Sequence, residues 1–359
     1  MSKPRLIAFY LPQYYPIPEN DEWWGTGFTE WTNVGSAKSL FKGHYQPKVP
    51  ADLGYYDLRV SQTRDLQADL ARKAGIEGFM YWHYWFNGRK ILDDVFEDVV
   101  ASGKPDYPFS LCWANHSWYK KTWKAKDSNK LLIEQTYGGE KDAVDHFNYL
   151  LPAFKDNRYI RVDGKLLFGI FAPFHFPDVK AFITLWNRLA EENGLNGFYF
   201  VALNEKPERV KEIRDVGYDA ILMDYMIEFR KRAVVYTNIF FRALRKIIRN
   251  VPRHDYNRYS ELMMKRFKPE DGLYPCIYPN FDHTPRSGAG GLILHNSTPA
   301  KWARLCRWTF DICKGRKHED NLIFIKAWNE WGEGNYLEPD LKYGHGYLDK
   351  LKEELDKTL

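Results

Sequence analysis

The chain has 359 residues, 44% of them hydrophobic and 28% charged, a composition typical of a soluble globular protein that can bury a large core. The net charge of +5 is small and unevenly placed, so we do not expect a nucleic-acid partner. The four cysteines have neither metal-ligand spacing nor the pattern of a disulfide framework. Because we find neither a signal peptide nor a run long enough to span a membrane, we predict a reduced, cytoplasmic protein.

Strand and helix patterns alternate along the whole chain without a linker. The predicted strands are 5–11, 77–84, 109–115, 166–171, 198–203, 220–225, 274–280 and 322–328. The predicted helices are 57–74, 91–102, 143–154, 177–193, 207–216, 259–267, 299–314 and 346–357. Eight strand–helix units predict an α/β fold, a single (β/α)8 TIM barrel over residues 1–359 with long βα loops. A doubly wound sheet is the competing fold, but no Gly-rich dinucleotide fingerprint follows the first strand. Asp163-Gly164 predicts a hairpin.

Two segments do not fit the repeating units. Residues 17–53 form a long connection rich in Trp, Gly, Pro and Asn, and a loop of that length without regular structure indicates a functional role. Arg230 to Arg253 contains eight Lys or Arg and no Asp or Glu, and its apolar residues are spaced as in an amphipathic helix inserted after strand 6. Such a helix either packs on its own barrel or contacts an anionic membrane surface, here as peripheral contact with the inner membrane.

The chemistry of such a barrel lies at the C-terminal ends of its strands. After the last strand, Asn329, Glu330, Trp331 and Glu333 follow one another with glycines between them. Two carboxylates three residues apart can enter one pocket, where their mutual repulsion raises one pKa and separates an acid from a base. The neighbouring indoles could stack on a sugar. We therefore predict glycosidic-bond chemistry by Glu330 and Glu333, without a metal or a cofactor.

Other strand ends and loops supply candidate substrate-binding residues. Together with Asn329 and Trp331 they are Tyr10, Gln13, Trp23, Trp24, Trp31, His83, Tyr84, Asn115, His116, Asp224, Asp282 and Arg286. For several of them a structural role explains the residue as well. His83 is either a sugar ligand or a half-buried structural histidine, and Asp224 either a hydroxyl ligand or a helix cap.

Two further groups of candidates also have two explanations. Asp282 and Arg286 precede the Gly-rich residues 287–291, which form either a mobile lid with a cation for acidic groups or a simple turn. The tryptophans of the first loop form either stacking subsites or a packing surface.

Several motifs resemble the WbsX-type family of bacterial polysaccharide and O-antigen gene clusters, which is itself similar to glycoside hydrolase family 99. These motifs are residues 8–16 (AFYLPQYYP), 23–34 (WWGTGFTEWTNV), 44–47 (HYQP), 81–86 (YWHYWF), 111–115 (LCWAN), 282–286 (DHTPR) and 327–339 (AWNEWGEGNYLEP). The resemblance covers nearly the whole chain except the basic segment.

The resemblance implies a (β/α)8 barrel that acts on α-linked, mannose-type glycans with retention of configuration. It makes Glu330 the base that takes the proton of the sugar 2-hydroxyl, so that the freed oxygen attacks C1 and gives a 1,2-anhydro sugar. Glu333 then acts as acid on the leaving oxygen and as base on the incoming hydroxyl, a departure from the usual nucleophilic carboxylate. Two positions differ from the family pattern, since His116 stands where a glutamate is common and His283 where an asparagine is common.

The residues leave three functions open. The first is a retaining, endo-acting glycoside hydrolase of a bacterial surface polysaccharide or its lipid-linked precursor. The second is a glycosyltransferase or transglycosylase that passes the sugar to a hydroxyl instead of water, although no Asp-x-Asp metal motif stands at a strand end. The third is a non-catalytic glycan-binding protein. An oligosaccharide or polysaccharide is the expected partner in each case.

Overall fold

Eight parallel strands close into a barrel in the computed structural model, which describes residues 3–120, 130–204, 206–226, 228–229, 251 and 253–358. The barrel strands, labelled in chain order, are β1 (Arg5–Tyr10), β2 (Gly78–His83), β3 (Phe109–Trp113), β4 (Lys165–Ile170), β5 (Phe198–Asn204), β6 (Ala220–Met223), β7 (Leu273–Ile277) and β8 (Leu322–Ile325). Each strand pairs with its neighbours in sequence, and β8 pairs with β1. The predicted (β/α)8 barrel is confirmed.

Helices surround the strands as in the predicted alternation. They are α1 (Ser61–Lys73), α2 (Asp94–Ser102), α3 (Gly139–Phe154), α4 (Val179–Glu192), α5 (Val210–Asp215), α6 (Tyr256–Arg266), α7 (Pro299–Ile312) and α8 (Gly346–Asp356). Local sequence fixes several of their starts. The Asp178 side chain caps α4 by accepting from the Ala181 amide, and α7 begins with a Thr298 cap followed by Pro299 at the first helical position.

The strands are nearly continuous apolar runs because both of their faces are covered. Every residue of β1 and of β8 is buried, as expected of a parallel sheet enclosed by helices. The Asp163-Gly164 hairpin is confirmed, since Val162 pairs antiparallel with Lys165. Both turn residues have positive φ, 49° and 79°, the requirement of a type I′ turn.

The long first connection is more ordered than the sequence suggests. It contains two short helices, Pro18–Trp24 and Glu30–Ser36. Pro18 occupies the first helical position of one, and the Thr29 hydroxyl accepts from the Trp31 amide at the start of the other. The expectation of a loop without regular structure was therefore wrong for these residues.

The basic segment lies almost entirely outside the described residues, which include only Val251 and Arg253 of its last part. The predicted amphipathic helix between Arg230 and Arg253 therefore remains a prediction. None of the helices among the described residues is long and apolar enough to cross a bilayer. All four cysteines are buried free thiols.

Candidate active site

A cleft of about 1280 Å³ opens at the C-terminal ends of the barrel strands. Residues that follow six different strands line it: Tyr84, His116, Phe171, Asp224, Tyr278 and Lys326. The residues after β8 contribute Glu330 and Glu333, and the first connection contributes Gln13, Trp24 and Glu30. The cleft thus occupies the end of the barrel where the chemistry of this fold is located.

The backbone around Glu330 is fixed by the loop that follows β1. The Asn329 side chain accepts from the Leu11 amide at 2.7 Å and donates to the Leu11 carbonyl at 3.0 Å. The Tyr14 hydroxyl accepts from the Trp331 amide at 3.0 Å and donates to the Asn329 carbonyl. One hydroxyl therefore holds the peptide groups on both sides of Glu330, which sets the direction of its carboxylate.

Glu330 lines the cleft and is only 9% exposed. Its carboxylate accepts from the Trp82 indole at 3.1 Å and pairs with Arg286 Nη2 at 3.2 Å. Burial and the charge of Glu333 raise the pKa of Glu330 to about 7, although Arg286 acts in the opposite direction. Near neutral pH this carboxyl group can therefore both give up and take up a proton.

Arg286 connects three carboxylates in the cleft. Its Nε lies 3.0 Å from Glu30 Oε2 and its Nη1 2.6 Å from Glu333 Oε1, while Nη2 faces Glu330. These carboxylates hold the pKa of Arg286 well above its usual range although burial acts to lower it. One guanidinium cannot neutralise three carboxylates, so the cluster favours one bound proton. Glu330 and Glu333 share this pocket, as the sequence predicts.

Gly332 lies between the two glutamates and allows Glu30 to approach them. A Cβ atom at this position would lie 1.8 Å from Glu30 Oε2 and 3.0 Å from Arg286 Nε. We expect Gly332→Ala to displace the Glu30–Arg286 pair and to reduce any catalytic activity of this cleft by at least about tenfold, since small misplacements of catalytic groups are costly. Gly290→Ala is the matched control, because its Cβ would meet no atom within 4 Å. Equal activity of the two variants would contradict this role of Gly332.

A buried ion pair forms another part of the cleft wall. Lys326 Nζ lies 2.8 Å from Asp224 Oδ2 and within 6 Å of the ring centroids of Phe9, Trp82 and Phe171. Asp224 also accepts from the Tyr278 hydroxyl at 2.7 Å and from the Met226 amide at 3.0 Å. Asp224 therefore combines a cleft position with a capping contact, so both explanations drawn from the sequence fit the structure.

Half of the predicted site residues line the cleft: Gln13, Trp24, Tyr84, His116, Asp224, Arg286, Glu330 and Glu333. The other half are not among the residues that line it. They are Tyr10, Trp23, Trp31, His83, Asn115, Asp282, Asn329 and Trp331. The structure gives each of the second group contacts within the protein, and direct substrate contact by them stays a prediction.

Tyr10 and His83 point into the protein. The Tyr10 hydroxyl donates to Gln67 Oε1 at 2.7 Å. His83 Nε2 lies 2.7 Å from His146 Nε2, inside an aromatic cluster. Burial lowers the pKa of His83 to about 3, so the ring is neutral near pH 7. Of the two explanations for His83, the structure favours a satisfied structural histidine.

Asn115 and Trp331 have buried partners too. The Asn115 amide donates to the Ala172 carbonyl at 2.9 Å and accepts from the Ala172 amide at 2.7 Å. Trp331 stacks on Tyr336 with ring centroids 3.7 Å apart, and its indole donates to Glu338 at 2.5 Å. These side chains, like Asn329, do not line the cleft but hold the residues around it in place.

Asp282, Trp23 and Trp31 also act in packing. Asp282 accepts from His44 and Gln46, each at 2.8 Å; burial acts to raise its pKa, but the hydrogen bond from His44 helps lower it to about 2. Trp31 donates to the Tyr56 carbonyl at 2.7 Å, and Trp23 packs edge-on against Trp118. The packing explanation therefore fits Trp23 and Trp31, while Trp24 reaches the cleft.

Sequence reasoning missed Glu30, Trp82 and Lys326 as cleft residues. Each stands inside or directly beside a motif that had been noted, but nothing in their spacing indicates contact with Glu330 or Arg286. Glu30 and Arg286 are 256 positions apart, and only the barrel brings them together. The one signal for Glu30 in the sequence is its acidic side chain within the first long connection.

Comparison with known proteins agrees with this fold. The family model described as Glycosyltransferase WbsX matches residues 6–351. The protein WxcX of Xanthomonas campestris pv. campestris, described as uncharacterized, is 33% identical over 98% of this chain. The match covers 50% of WxcX, so the chain spans about half the length of the curated relatives it matches.

Solved structures share the barrel. A glycoside hydrolase-like protein superposes with a TM-score of 0.61 at 16% identity, covering 99% of this chain and 94% of its own. The GH99 endo-alpha-mannosidase from Bacteroides thetaiotaomicron, in complex with Bis-Tris-propane, gives 0.59 at 14% identity, covering 99% and 97%. At these identities the likeness establishes the fold.

Proposed function

We propose that this chain, which belongs to the WbsX glycosyltransferase family, is a glycoside hydrolase-like enzyme that cleaves an α-linked, mannose-type bond in a bacterial glycan. The cleavage is endo-acting and retains configuration. The substrate is a surface polysaccharide or its lipid-linked precursor, as the occurrence of the family in polysaccharide and O-antigen clusters suggests. The identity of the sugar and its linkage is the most specific part of this proposal.

One observation carries the proposal. Glu330 and Glu333 contact two nitrogens of the same guanidinium inside the cleft, and Glu330 has a pKa raised to about 7 by burial and by the charge of Glu333. Two carboxyl groups that hold one proton between them are the equipment of glycosidic-bond cleavage. The likeness of the barrel to GH99 enzymes supports the same chemistry.

In the first step, Glu330 takes the proton of the sugar 2-hydroxyl. The freed oxygen forms a bond to C1 as the bond from C1 to the leaving oxygen breaks. Glu333 donates its proton to that oxygen, so an alcohol and a 1,2-anhydro sugar result. A base with a raised pKa is a stronger base for this task than an ordinary carboxylate.

In the second step, Glu333 takes a proton from the incoming hydroxyl. The oxygen of that hydroxyl bonds to C1 while the C1–O2 bond opens, and Glu330 returns its proton to O2. Two inversions at C1 retain the configuration, and both carboxyl groups regain their starting state. No other reactant is needed.

The contacts in the structure favour the opposite placement of the proton, on Glu330 rather than on Glu333. Glu330 is the carboxyl with the raised pKa, while the 2.6 Å contact with Arg286 stabilises charge on Glu333. Substrate that displaces Arg286 from Glu333 would let the proton move to Glu333, which the first step requires. The proton count of the pair is the same in both arrangements, and the pair titrates as one unit.

Incubation with α-linked manno-oligosaccharides and isolated bacterial surface polysaccharides tests the function. We expect shorter fragments, and proton NMR of the first product should show the starting anomeric configuration. Inverted product would refute the two-step scheme. Glycan binding without turnover by the wild-type protein would instead favour a non-catalytic binding protein.

Transfer to a hydroxyl is the second candidate, favoured by the description of the family as glycosyltransferases. The same anhydro sugar would react with an acceptor sugar in place of water. Adding a free acceptor sugar to the reaction separates the two functions. Products longer than the starting glycan would support transfer, and an unchanged hydrolysis pattern would support the hydrolase.

The pH dependence reports which carboxyl is the base. Because the first step needs one proton on the Glu330–Glu333 pair, and the pKa of about 7 marks the loss of that proton, we expect kcat/KM to fall as the pH rises through about 7. In Glu333→Gln the charge that helps raise the Glu330 pKa is gone. Any residual activity of this variant needs ionised Glu330, so it should be lost only as the pH falls, with a midpoint below about 7. Measurement of kcat/KM from about pH 5 to about pH 9 checks both. Residual activity of Glu333→Gln that falls as the pH rises would make Glu330 the acid.

A further inference from the structure

One buried polar side chain in the cleft has no role in this chemistry. Asn20, in the short helix Pro18–Trp24, is 0% exposed yet belongs to the cleft wall. Neither its Oδ1 nor its Nδ2 has a hydrogen-bond partner in the structure. The buried Asn115 amide makes the contrast, because two hydrogen bonds to Ala172 join it to the protein.

An unsatisfied buried amide is costly. Such groups are uncommon in folded proteins, where the great majority of buried polar atoms have a partner. Removing an amide from water without a replacement hydrogen bond carries a penalty of about 1–3 kcal/mol by protein measurements. Both ends of the Asn20 amide lack a partner, so the position calls for one donor and one acceptor from outside the protein. Asn20 is one of the residues that line the cleft, so we take a ligand in the cleft as the source of both groups.

Aromatic side chains line the same cleft as Asn20. Trp24, one helical turn after Asn20, stacks on Phe28 with centroids 5.7 Å apart. Trp118 packs edge-on against Tyr84 at 5.0 Å. All four rings line the cleft with Asn20. Flat apolar rings beside a hydrogen-bonding amide combine a surface for sugar C–H groups with a polar group that fixes orientation.

We propose that Asn20 and these rings form a sugar-binding subsite that takes two adjacent hydroxyl groups of a sugar unit. One hydroxyl donates to Oδ1 and its neighbour accepts from Nδ2, which satisfies both ends of the amide. An uncharged amide suits neutral hydroxyls. The subsite deepens the proposed function and rests on it, because it would hold one unit of the glycan whose bond Glu330 and Glu333 cleave.

Substitution by leucine separates a ligand role from a structural one. Leucine has nearly the shape of asparagine, and replacing an unsatisfied polar group by an apolar one of the same shape is neutral or stabilising. We therefore expect Asn20→Leu to keep or raise the Tm while sugar affinity falls by about tenfold or more. In the matched control, Asn115→Leu breaks the side-chain hydrogen bonds to Ala172 and Tyr137 and should lower the Tm. Asn20→Ala is the second variant should the leucine fail to fold.

The binding measurement uses the Glu330→Gln protein, so that no probe is consumed. The probes are methyl α-mannopyranoside, methyl α-glucopyranoside and methyl α-galactopyranoside, each with adjacent hydroxyls, followed by saturation-transfer NMR and calorimetry. Binding that is lost in the Asn20 variants at unchanged or raised Tm supports the subsite. A lowered Tm with unchanged binding, or no binding of any probe to the parent protein, overturns it.

The two proposals fail in different ways. If wild-type protein turns over no glycan while the probes bind in an Asn20-dependent manner, the enzymatic proposal fails and the subsite stands. If glycan is cleaved equally well with leucine at position 20, the subsite fails and the enzyme stands.

Discussion

Replacing Glu330 by glutamine is expected to lower kcat/KM by about 10²–10⁴-fold, the usual contribution of a positioned acid or base. Glutamine keeps the shape of the side chain and its contact with Trp82 but cannot accept the proton of the 2-hydroxyl. Glu333→Gln should cost a similar factor. Because the two groups act in the same steps, the double variant should lose less than the product of the two losses. Steady-state turnover of the glycan identified for the wild type is the measurement.

The control for these variants is Glu261→Gln, an exposed glutamate of α6 that should leave the rate unchanged.

The stability of Glu330→Gln supplies a second readout. A pKa raised from 4.5 to about 7 in the folded state means that stability is fully present below about pH 4.5 and is lost as the pH rises through about 7. Glu330→Gln should therefore be relatively more stable above pH 7 than below pH 5. Full activity in Glu330→Gln would end the enzymatic proposal in its present form.

Arg286→Met is expected to have the largest effect on folding. It would leave the buried carboxylate of Glu30, together with Glu330 and Glu333, without their shared cation. Removing one partner of a buried ion pair costs about 3–5 kcal/mol. The loss should be smaller at pH 6 than at pH 8, because the pKa of Glu330 would rise further without Arg286 and a bound proton would relieve the repulsion. Urea unfolding at the two pH values measures this difference.

Two matched variants accompany this substitution. Arg286→Lys keeps one positive charge but not three directed nitrogens, so it should recover part of the stability and little of the activity. Arg59→Met removes an exposed guanidinium paired with Asp57, and should change stability far less. A loss for Arg286→Met no larger than for Arg59→Met would show that the three carboxylates do not depend on Arg286.

The barrel could be predicted from the sequence because its strands and helices have strong local patterns. The apolar run of β1 and the capped start of α7 at Thr298 and Pro299 determine local structure without help from distant residues. The place of Glu330 and Glu333 followed from the same logic, since the end of a barrel strand is a defined position in space. The prediction of secondary structure was wrong in the first connection, where Pro18 and Thr29 start helices too short to show a periodic pattern.

The direction in which a strand-end side chain points could not be predicted. Tyr10 and Tyr84 each stand at or beside the end of a strand, but Tyr10 turns to Gln67 and Tyr84 to the cleft. Alternation in a strand changes the facing side at every residue, so an uncertainty of one residue in the strand end exchanges the two outcomes. Contacts such as Glu30 with Arg286 depend on the closed barrel, and no local pattern encodes them.

The contacts of Tyr14 and Asn329 have a consequence for the order in which the protein is made. They join residues separated by more than 300 positions, 315 for the Tyr14 bond to the Asn329 carbonyl and 318 for the Asn329 bond to Leu11. When only the first three hundred residues have left the ribosome, one wall of the pocket has been made but Glu330 and Glu333 are still missing. The growing chain therefore lacks the proposed catalytic pair until residues 329–333 have emerged, and a premature stop before residue 329 yields a protein without Glu330 and Glu333.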